Sequence, residues 1–545
     1  MEEQEYIVSL HRGVDAEQFN QEMIALTGDG MIPNRTVDVA NSRPGSYRNT
    51  HYSLTEDEAK ALRNDPRVYG VEINPEHRDD IRPMRMGLQE GNFNKSTSEG
   101  GEYFDWGKVR HSFIADPYSG GTTTTANWPY ALDGTGVDVV IQDSGLQVDH
   151  PEFTDAQGNS RVQQINWATE SGLNFTQSVN HYRDTDGHGT HCAGTAAGKT
   201  FGWAKNARIY SVKVAGLEGT GDGGTGISTT YCFDCIKLWH RNKPVDPVTG
   251  VKRPTIVNMS WGYGGYYQWN TGTDSIVYRG TTYSGTNTDT VSERRTLGLP
   301  GISYGTFNGS PYYRYNSRVA SVDTDIQEMI DEGIHVCIAA GNYYYLRDLS
   351  TGLDYNNIAF AQVYSFGSGS FFSSSFYYHR GGSPYDDEAF TVGNMDDSYT
   401  SGTERPASSS EKGPAVNMYA AGTNIISATS TSNRFSDAVY YADSNYRQCN
   451  ISGTSMASPQ VCGLGALYLQ ANPELTPAQL REMIINDSTK DQLNDTGATN
   501  YSDFDSIMGG NNRILYNRYA QQTAYTTNVS STDVGYSETD NQKTQ

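Results

Sequence analysis

Three residues of this chain are of the types that together make a serine nucleophilic. Ser455 stands in GTSMASP, residues 453–459, where a small and apolar run begins (Ala457, Val461, Ala466, Leu467). By itself the position fits a helix-capping serine, whose hydroxyl takes up a free backbone N–H, as well as a nucleophile. His188 stands in DGHGTHCAGTAAG, residues 186–198, between two glycines that leave the imidazole uncrowded and let backbone approach it. Asp143 ends VDVVIQD and is followed by the turn pair Ser144-Gly145. A hydroxyl is a poor nucleophile until an imidazole takes its proton. The imidazole needs a carboxylate on its other nitrogen to fix its tautomer and stabilise the imidazolium. Such chemistry also needs donors for a developing oxyanion. HVCIAAGN, residues 335–342, delivers Asn342 after an apolar strand and Gly341.

Other constellations carry less. His188 and His191 are three residues apart, but no His-Glu-x-x-His spacing and no third ligand accompany them, so no metal is assigned. Cys232 and Cys235 form a single C-x-x-C within YCFDCIKLW; thiols buried on one face of a helix are expected rather than zinc. Gly301-Ile302-Ser303-Tyr304-Gly305 satisfies G-x-S-x-G, a pattern that needs a strand before it and a helix after it. Pro300 precedes it and a polar, Gly-rich loop follows, which argues against an esterase built on Ser303. Cys192, beside His191, reads either as a thiol that makes the site sensitive to bulky thiol reagents or as a small buried side chain.

The elements that must position these residues alternate along the chain. Strands are expected at 137–142, 208–214, 255–260, 335–339, 389–393 and 415–419. Helices are expected at 189–197, 227–239, 322–331, 455–470 and 477–485. Short, mostly apolar strands alternating with helices predict a mostly parallel α/β sheet with helices on both faces. In such sheets sites form at the carboxyl ends of strands, where Asp143 and Asn342 fall. Upstream, strand 6–10, helix 15–26, helix 54–62 and strand 67–73 predict a small α+β unit of split-βαβ type. The second of these helices opens with Thr55 and Glu58 as a capping box. Residues 76–125 are polar and linker-like, with WGKVRHSF, 106–113, as their ordered part. Long insertions, about 263–320 and 343–386, are expected as functional or mobile loops. Their many tyrosines are expected on the surface rather than in core strands. Residues 519–545 are expected to be a disordered tail.

The chain has 545 residues, enough for more than one domain, and carries 63 acids against 40 bases, a net charge of −23. Such a field opposes nucleic-acid binding, since phosphates need neutralising cations. MEEQEYIVSL lacks a basic region followed by a long apolar one, so no secretory signal is expected there. No apolar run is long enough for a transmembrane helix. Six cysteines in this length do not make a disulfide framework.

The order Asp143, His188, Ser455 and the motifs around them resemble the subtilisin-like serine proteases (subtilases), nearest the proteinase K-like branch. Asp143-Ser144-Gly145, His188-Gly-Thr-His191-Cys192-Ala-Gly, Ala339-Ala340-Gly341-Asn342 and Gly453-Thr454-Ser455-Met456-Ala457 are similar to four motifs of that family, in its order. The resemblance implies Ser455 as nucleophile, His188 as proton carrier, Asp143 as its orienting carboxylate and Asn342 as oxyanion donor. It implies Gly219, Thr220 and Gly221 as one substrate-pairing segment. It implies Ser260, Trp261 and Gly262, facing Ala340 and Gly341, as the walls of a specificity pocket. Small residues there predict a preference for large apolar side chains, although Trp261 replaces a commoner aliphatic.

By the same resemblance, residues 1–80 are an inhibitory propeptide with a ferredoxin-like fold and 81–102 a linker holding a processing site. Residues 103–518 are the peptidase domain, whose end Gly510-Asn511-Asn512-Arg513-Ile514-Leu515-Tyr516 resembles the end of the proteinase K domain. Its partners are protein or peptide substrates and its own prodomain, with neither nucleic acid nor membrane. No cofactor is required; calcium stays open as an alternative without specific ligands, since Asn417 stands where several relatives place an aspartate. A leaderless acidic protease with such insertions would suit a virion-associated or intracellular setting. The alternative is a catalytically silent structural or binding protein on the same scaffold, working through its tyrosine-rich insertions.

Overall fold

The structure, a computed structural model, describes residues 3–25, 35–85, 106–117, 130, 132–217, 226–247, 249–378, 380–397, 404–497 and 506–520. Its centre is an eight-stranded sheet. From one edge to the other the strands are Thr489–Lys490, Arg513–Ile514, Met418–Ala421, Phe390–Met395, His335–Ala339, Thr255–Met259, Asp138–Asp143 and Arg208–Lys213. All neighbours are parallel except the first pair. The strands lie within a residue or three of where the apolar runs predict them. Alternation along Asp138–Asp143 sends Val139 and Ile141 into one core and Val140 into the other. The first core is covered by the helices His188–Ala197 and Thr454–Ala471, the second by Thr229–Asn242 and Ala320–Asp331. A strand buried on both faces has to be apolar on both, which is why its sequence reads as a run.

The insertions are not loops, as expected from composition, but a second sheet. Its strands run in the order Thr281–Ser284, Ser275–Tyr278, Asn357–Ser365, Trp261–Gln268, Ser310–Asn316, Gly305–Phe307, with Ser370–Tyr378 also paired to Asn357–Ser365. Its tyrosines are not confined to the surface: Tyr263, Tyr267, Tyr313, Tyr315 and Tyr378 lie in the second core. An aromatic body buries a large apolar area while its hydroxyl finds a partner. Tyr263 donates to Thr229 Oγ1 and Tyr378 to the Leu297 carbonyl.

The N-terminal unit is a four-stranded antiparallel sheet, in the order Val39–Asn41, Asn49–Leu54, Gln4–Leu10, Val68–Ile73. Helices Ala16–Ile24 and Glu56–Leu62 cover one face, and the expected capping box at Thr55 and Glu58 is formed. The unit docks on two helices of the main domain through charge. Glu72 accepts from the N–H groups of Ala320 (3.1 Å) and Ser321 (2.8 Å), at the start of a helix with no side-chain cap of its own. Glu76 accepts from Thr229 N at 2.8 Å, at the start of the other. A carboxylate satisfies donors that a helix start leaves open and is favoured by the helix dipole. Between the two helices, Arg43 is buried against Asp234 (2.8 Å) and Asp325 (2.8 Å). Next in sequence, Arg82–Arg85 leaves this unit and pairs antiparallel with the start of Trp261–Gln268.

Candidate active site

Asp143 is the last residue of a central strand and His188 the first of a helix, so both stand at the carboxyl edge of the parallel sheet. His188 Nδ1 and Asp143 Oδ1 are 2.8 Å apart, with both side chains fully buried. The glycines flanking His188 have different tasks. Gly187 takes a positive φ of 91° as the helix N-cap. Gly189 sits where any Cβ would collide with the Gly145 carbonyl and crowd Asp143 Cβ, so its smallness lets the two loops meet. Burial pushes the His188 pKa down, but the Asp143 carboxylate outweighs that and holds it well above the ordinary imidazole value.

Ser455 stands in the first turn of Thr454–Ala471, whose N-cap Gly453 makes no side-chain cap. Its hydroxyl caps nothing. It donates to the Ser260 carbonyl at 3.0 Å, while His188 Nε2 is buried without a hydrogen-bond partner. The Asp143–His188 half of the constellation is therefore made and the His188–Ser455 half is not. Cys192 packs beside the pair: its Sγ is 3.9 Å from His188 Nδ1 and donates to the Ser455 backbone carbonyl at 3.5 Å. Burial raises the Cys192 pKa, so the group is a neutral thiol.

Asn342 is held by its oxygen. Oδ1 accepts from Thr454 N (2.9 Å) and Thr454 Oγ1 (3.1 Å), which leaves Nδ2 buried and without a partner. The backbone donor fixes which way the amide points. Thr454 Oγ1 in turn accepts from Gly341 N at 3.0 Å. Gly341 has φ 118°, and a Cβ there would strike the carboxyl group of buried Glu411. Burial lifts the Glu411 pKa to about 7 despite Arg347 nearby. At this helix start Thr454 N is taken by Asn342 Oδ1 and Met456 N by the Gly453 carbonyl, while the Asn342 amide nitrogen has no partner.

The central strand ends at Met259 and Trp261 begins the inserted sheet, so Ser260 alone joins the two. Arg85 lies opposite Trp261, Met84 opposite Gly262, Pro83 opposite Tyr263 and Arg82 opposite Gly264. The Trp261 ring does not face this lane. It is fully buried beside Tyr263, with centroids 5.7 Å apart, and its N–H donates to Gln142 at 3.3 Å. Ala340 N donates to Val392 O, and Ala340 and Gly341 are both buried. Gly219, Thr220 and Gly221 lie outside the described residues.

The remaining expectations divide. His191 is structural: its Nε2 donates to the Ile425 and Cys449 carbonyls, and burial drops its pKa to about 3. All six cysteines are free and buried, with Cys232 and Cys235 on the helix Thr229–Asn242. Ser303 donates to Gly305 O and is followed by a short strand, not a helix. Asn417 spends its side-chain oxygen on Thr391 N at 2.6 Å. Among the described residues the one cluster with metal-ligand geometry is Asp143, His188 and Cys192, two of which form the pair already described. No helix of the described residues is long and apolar enough to cross a membrane. Of the residues expected as a disordered tail, 519–545, Tyr519 instead packs on Tyr468 at 5.0 Å, and 521–545 lie outside the described residues. The processing linker 81–102 lies outside them from residue 86 onward. Two positioning residues escaped the sequence reading. Thr454 anchors Asn342, and Asp184 accepts from Gly187 N and Thr190 N to cap the His188 helix. The signal for the second was there: an aspartate four residues before a histidine that opens a helix.

The profile of the subtilase family matches residues 134–509. The chain belongs to the subtilase family, and its class is that of a subtilisin-like serine endopeptidase. It is 25% identical over 418 residues to a cuticle-degrading serine protease of Arthrobotrys oligospora, covering 76% of this chain and 68% of that one. It is 24% identical over 500 residues to alkaline serine exoprotease A of Vibrio alginolyticus, covering 92% of this chain and 63% of that one. Among solved structures it is similar to a cold-adapted subtilisin-like serine proteinase, at 22% identity and a TM-score of 0.44, over 76% of this chain and 98% of that one. It is also similar to fervidolysin from Fervidobacterium pennivorans, a keratinolytic enzyme, at 17% identity and a TM-score of 0.49, over 95% of this chain and 61% of that one.

Proposed function

We propose that the chain is a serine endopeptidase made as a zymogen, nearest the proteinase K-like branch. Asp143, His188 and Ser455 are its triad. The observation that carries the reading is the His188–Asp143 contact, with a bare imidazole nitrogen facing away from the carboxylate. Rotation of the Ser455 side chain away from the Ser260 carbonyl brings its hydroxyl to Nε2. His188 takes the proton as the oxygen attacks the scissile carbonyl, and Asp143 stabilises the imidazolium. Asn342 Nδ2 and the Ser455 N–H receive the oxyanion. His188 then protonates the leaving amine, and water hydrolyses the acyl-enzyme by the same steps in reverse.

The substrate is an extended peptide or protein strand lying along Trp261–Gly264, the strand-addition mode. Ser260, Gly262, Ala340 and Gly341 wall a pocket for a large apolar side chain. Gly219, Thr220 and Gly221 are proposed for the opposite side. The N-terminal unit, with its ferredoxin-like strand order, is the inhibitory prodomain. Supporting this, Arg82–Arg85 occupies the substrate lane and all three triad side chains are fully buried. Cleavage falls within a few residues after Arg85. Neither nucleic acid nor membrane is a partner, and no cofactor takes part.

Intact mass and fluorophosphonate labelling of the wild type beside Ser455→Ala test this. The wild type should lose about 9–10 kDa, the mass of some 85 residues, and take the label on Ser455. The variant should do neither. A folded wild type that neither processes nor labels would favour the silent-scaffold alternative.

A further inference from the structure

We propose that an aromatic cleft in the inserted sheet is a distal substrate subsite for a basic side chain, placed four residues upstream of the residue opposite Ser260. The proposal rests on Trp261–Gly264 being the substrate-pairing strand. The cleft, of about 360 Å³, is lined by Tyr266, Phe307, Tyr364, Phe366 and Phe371, and Arg82 forms one of its sides. Its walls come from the far end of the strand that begins at Trp261, from the strand Gly305–Phe307 and from the hairpin that Asn357–Ser365 forms with Ser370–Tyr378. Peptide lane and cleft are therefore parts of one sheet.

The contact between Arg82 and the cleft's aromatic wall shows what that wall takes. Arg82 lies opposite Gly264, and its guanidinium carbon stands 4.2 Å from the centre of the Phe366 ring. That is the geometry in which a ring face attracts a cation. The register that sets Arg82 opposite Gly264 sets a substrate residue four places further on opposite Ser260, whose carbonyl now holds the Ser455 hydroxyl. Glycines keep the approach open: a Cβ at Gly265 would run into the Asp80 carbonyl of the strand's own entry. The same aromatic cluster holds a second guanidinium, with Arg314 4.5 Å from the Tyr304 ring and 5.5 Å from that of Tyr266. After residue 85 the sequence still holds 47 acids against 30 bases, a net charge of −17 that draws basic peptides toward it. Once the prodomain departs, Arg82 leaves with it, and the vacated ring face is offered to the substrate.

The test uses the mature enzyme and quenched-fluorescence peptides carrying Arg, Gln or Glu at that position, with a shorter peptide that ends before it. Arg should raise kcat/KM about three- to tenfold over Gln, the range an exposed to partly desolvated cation–ring contact supplies. Glu should be cut more slowly than Gln. Phe366→Leu, which keeps bulk and removes the ring, should erase the Arg preference and cut the short peptide at the wild-type rate. Equal rates for Arg and Gln in a wild type that cuts the short peptide overturn the subsite, whatever the variant does. A preference that survives Phe366→Leu overturns the assignment to this ring. An enzyme that labels with no fluorophosphonate and cuts no peptide removes the peptidase reading, and the subsite with it.

Discussion

The hydroxyl of Ser455 donates to the backbone carbonyl of Ser260 at 3.0 Å. Ser260 immediately precedes the strand to which Arg82–Arg85 is paired. A substrate strand one residue longer would present its own N–H to that carbonyl and compete with the serine for it. Filling the lane and freeing the nucleophile are then one event. Serine side chains move between staggered rotamers at little cost, so the resting arrangement stores the nucleophile rather than removing it.

Replacing Asn342 should slow the chemical step and spare binding. Its amide oxygen is fixed by Thr454, so the unpartnered Nδ2 is the group an oxyanion would meet. Asn342→Ala is expected to lower kcat about 10²–10³-fold with KM nearly unchanged, the size of effect known for the oxyanion-hole amide of subtilisin. Steady-state kinetics on a single peptide checks it; a change confined to KM would contradict the role.

The pH profile should report the His188–Asp143 pair. General-base catalysis needs neutral imidazole, so kcat/KM should fall as acid protonates His188. With Asp143 in place the His188 pKa is raised well above its ordinary value of 6.5. The acid limb should therefore lie above that value. Asp143→Asn removes the charge that raises the pKa and leaves the burial that lowers it, so the residual activity should show its limb at lower pH. A limb that stays in place would separate Asp143 from the titration.

Arg43 should govern how long the severed N-terminal unit stays bound. It is 1% exposed between Asp234 and Asp325, with Lys237 2.9 Å from Asp325. Arg43→Ala leaves a buried acidic pair short of one cation. Breaking a buried ion pair costs about 3–5 kcal/mol. After cleavage the wild-type fragment should travel with the peptidase in gel filtration, and the Arg43→Ala fragment should separate and give earlier activity. Co-elution of the variant fragment with unchanged inhibition would count against it.

Chelation should leave catalysis intact. Asn417 offers a neutral amide oxygen that already accepts from Thr391 N. Dialysis against EDTA is expected to change neither the hydrolysis rate nor Tm. A loss restored by calcium would point to ligands that these residues do not supply.

What could be read in advance follows from how each element is stabilised. The strand ending at Asp143 is buried on two faces, so its run of valines and isoleucines announces it. His188, Asn342 and Ser455 carry glycines beside them because backbones crowd there, and that leaves a local trace. Asn357–Ser365 was readable too: Ala359, Ala361 and Val363 point inward while Phe360, Gln362 and Tyr364 are more exposed. The Gly, Ser and Tyr around it resembled loop composition and hid the alternation. Arg43 and its partners leave no such trace, because Asp234 lies 191 positions away and the pair exists only after docking. The Ser455 hydroxyl direction is a rotamer, on which residue identity is silent.

Ser260 is a hinge pin between two sheets of different kinds, one mostly parallel and one antiparallel. Because the added sheet grows from a strand already anchored in the catalytic core, it inherits a rigid foundation. Its outer strands are therefore free to lengthen, shorten or change their lining, altering which proteins are gripped while the cutting centre stays in place.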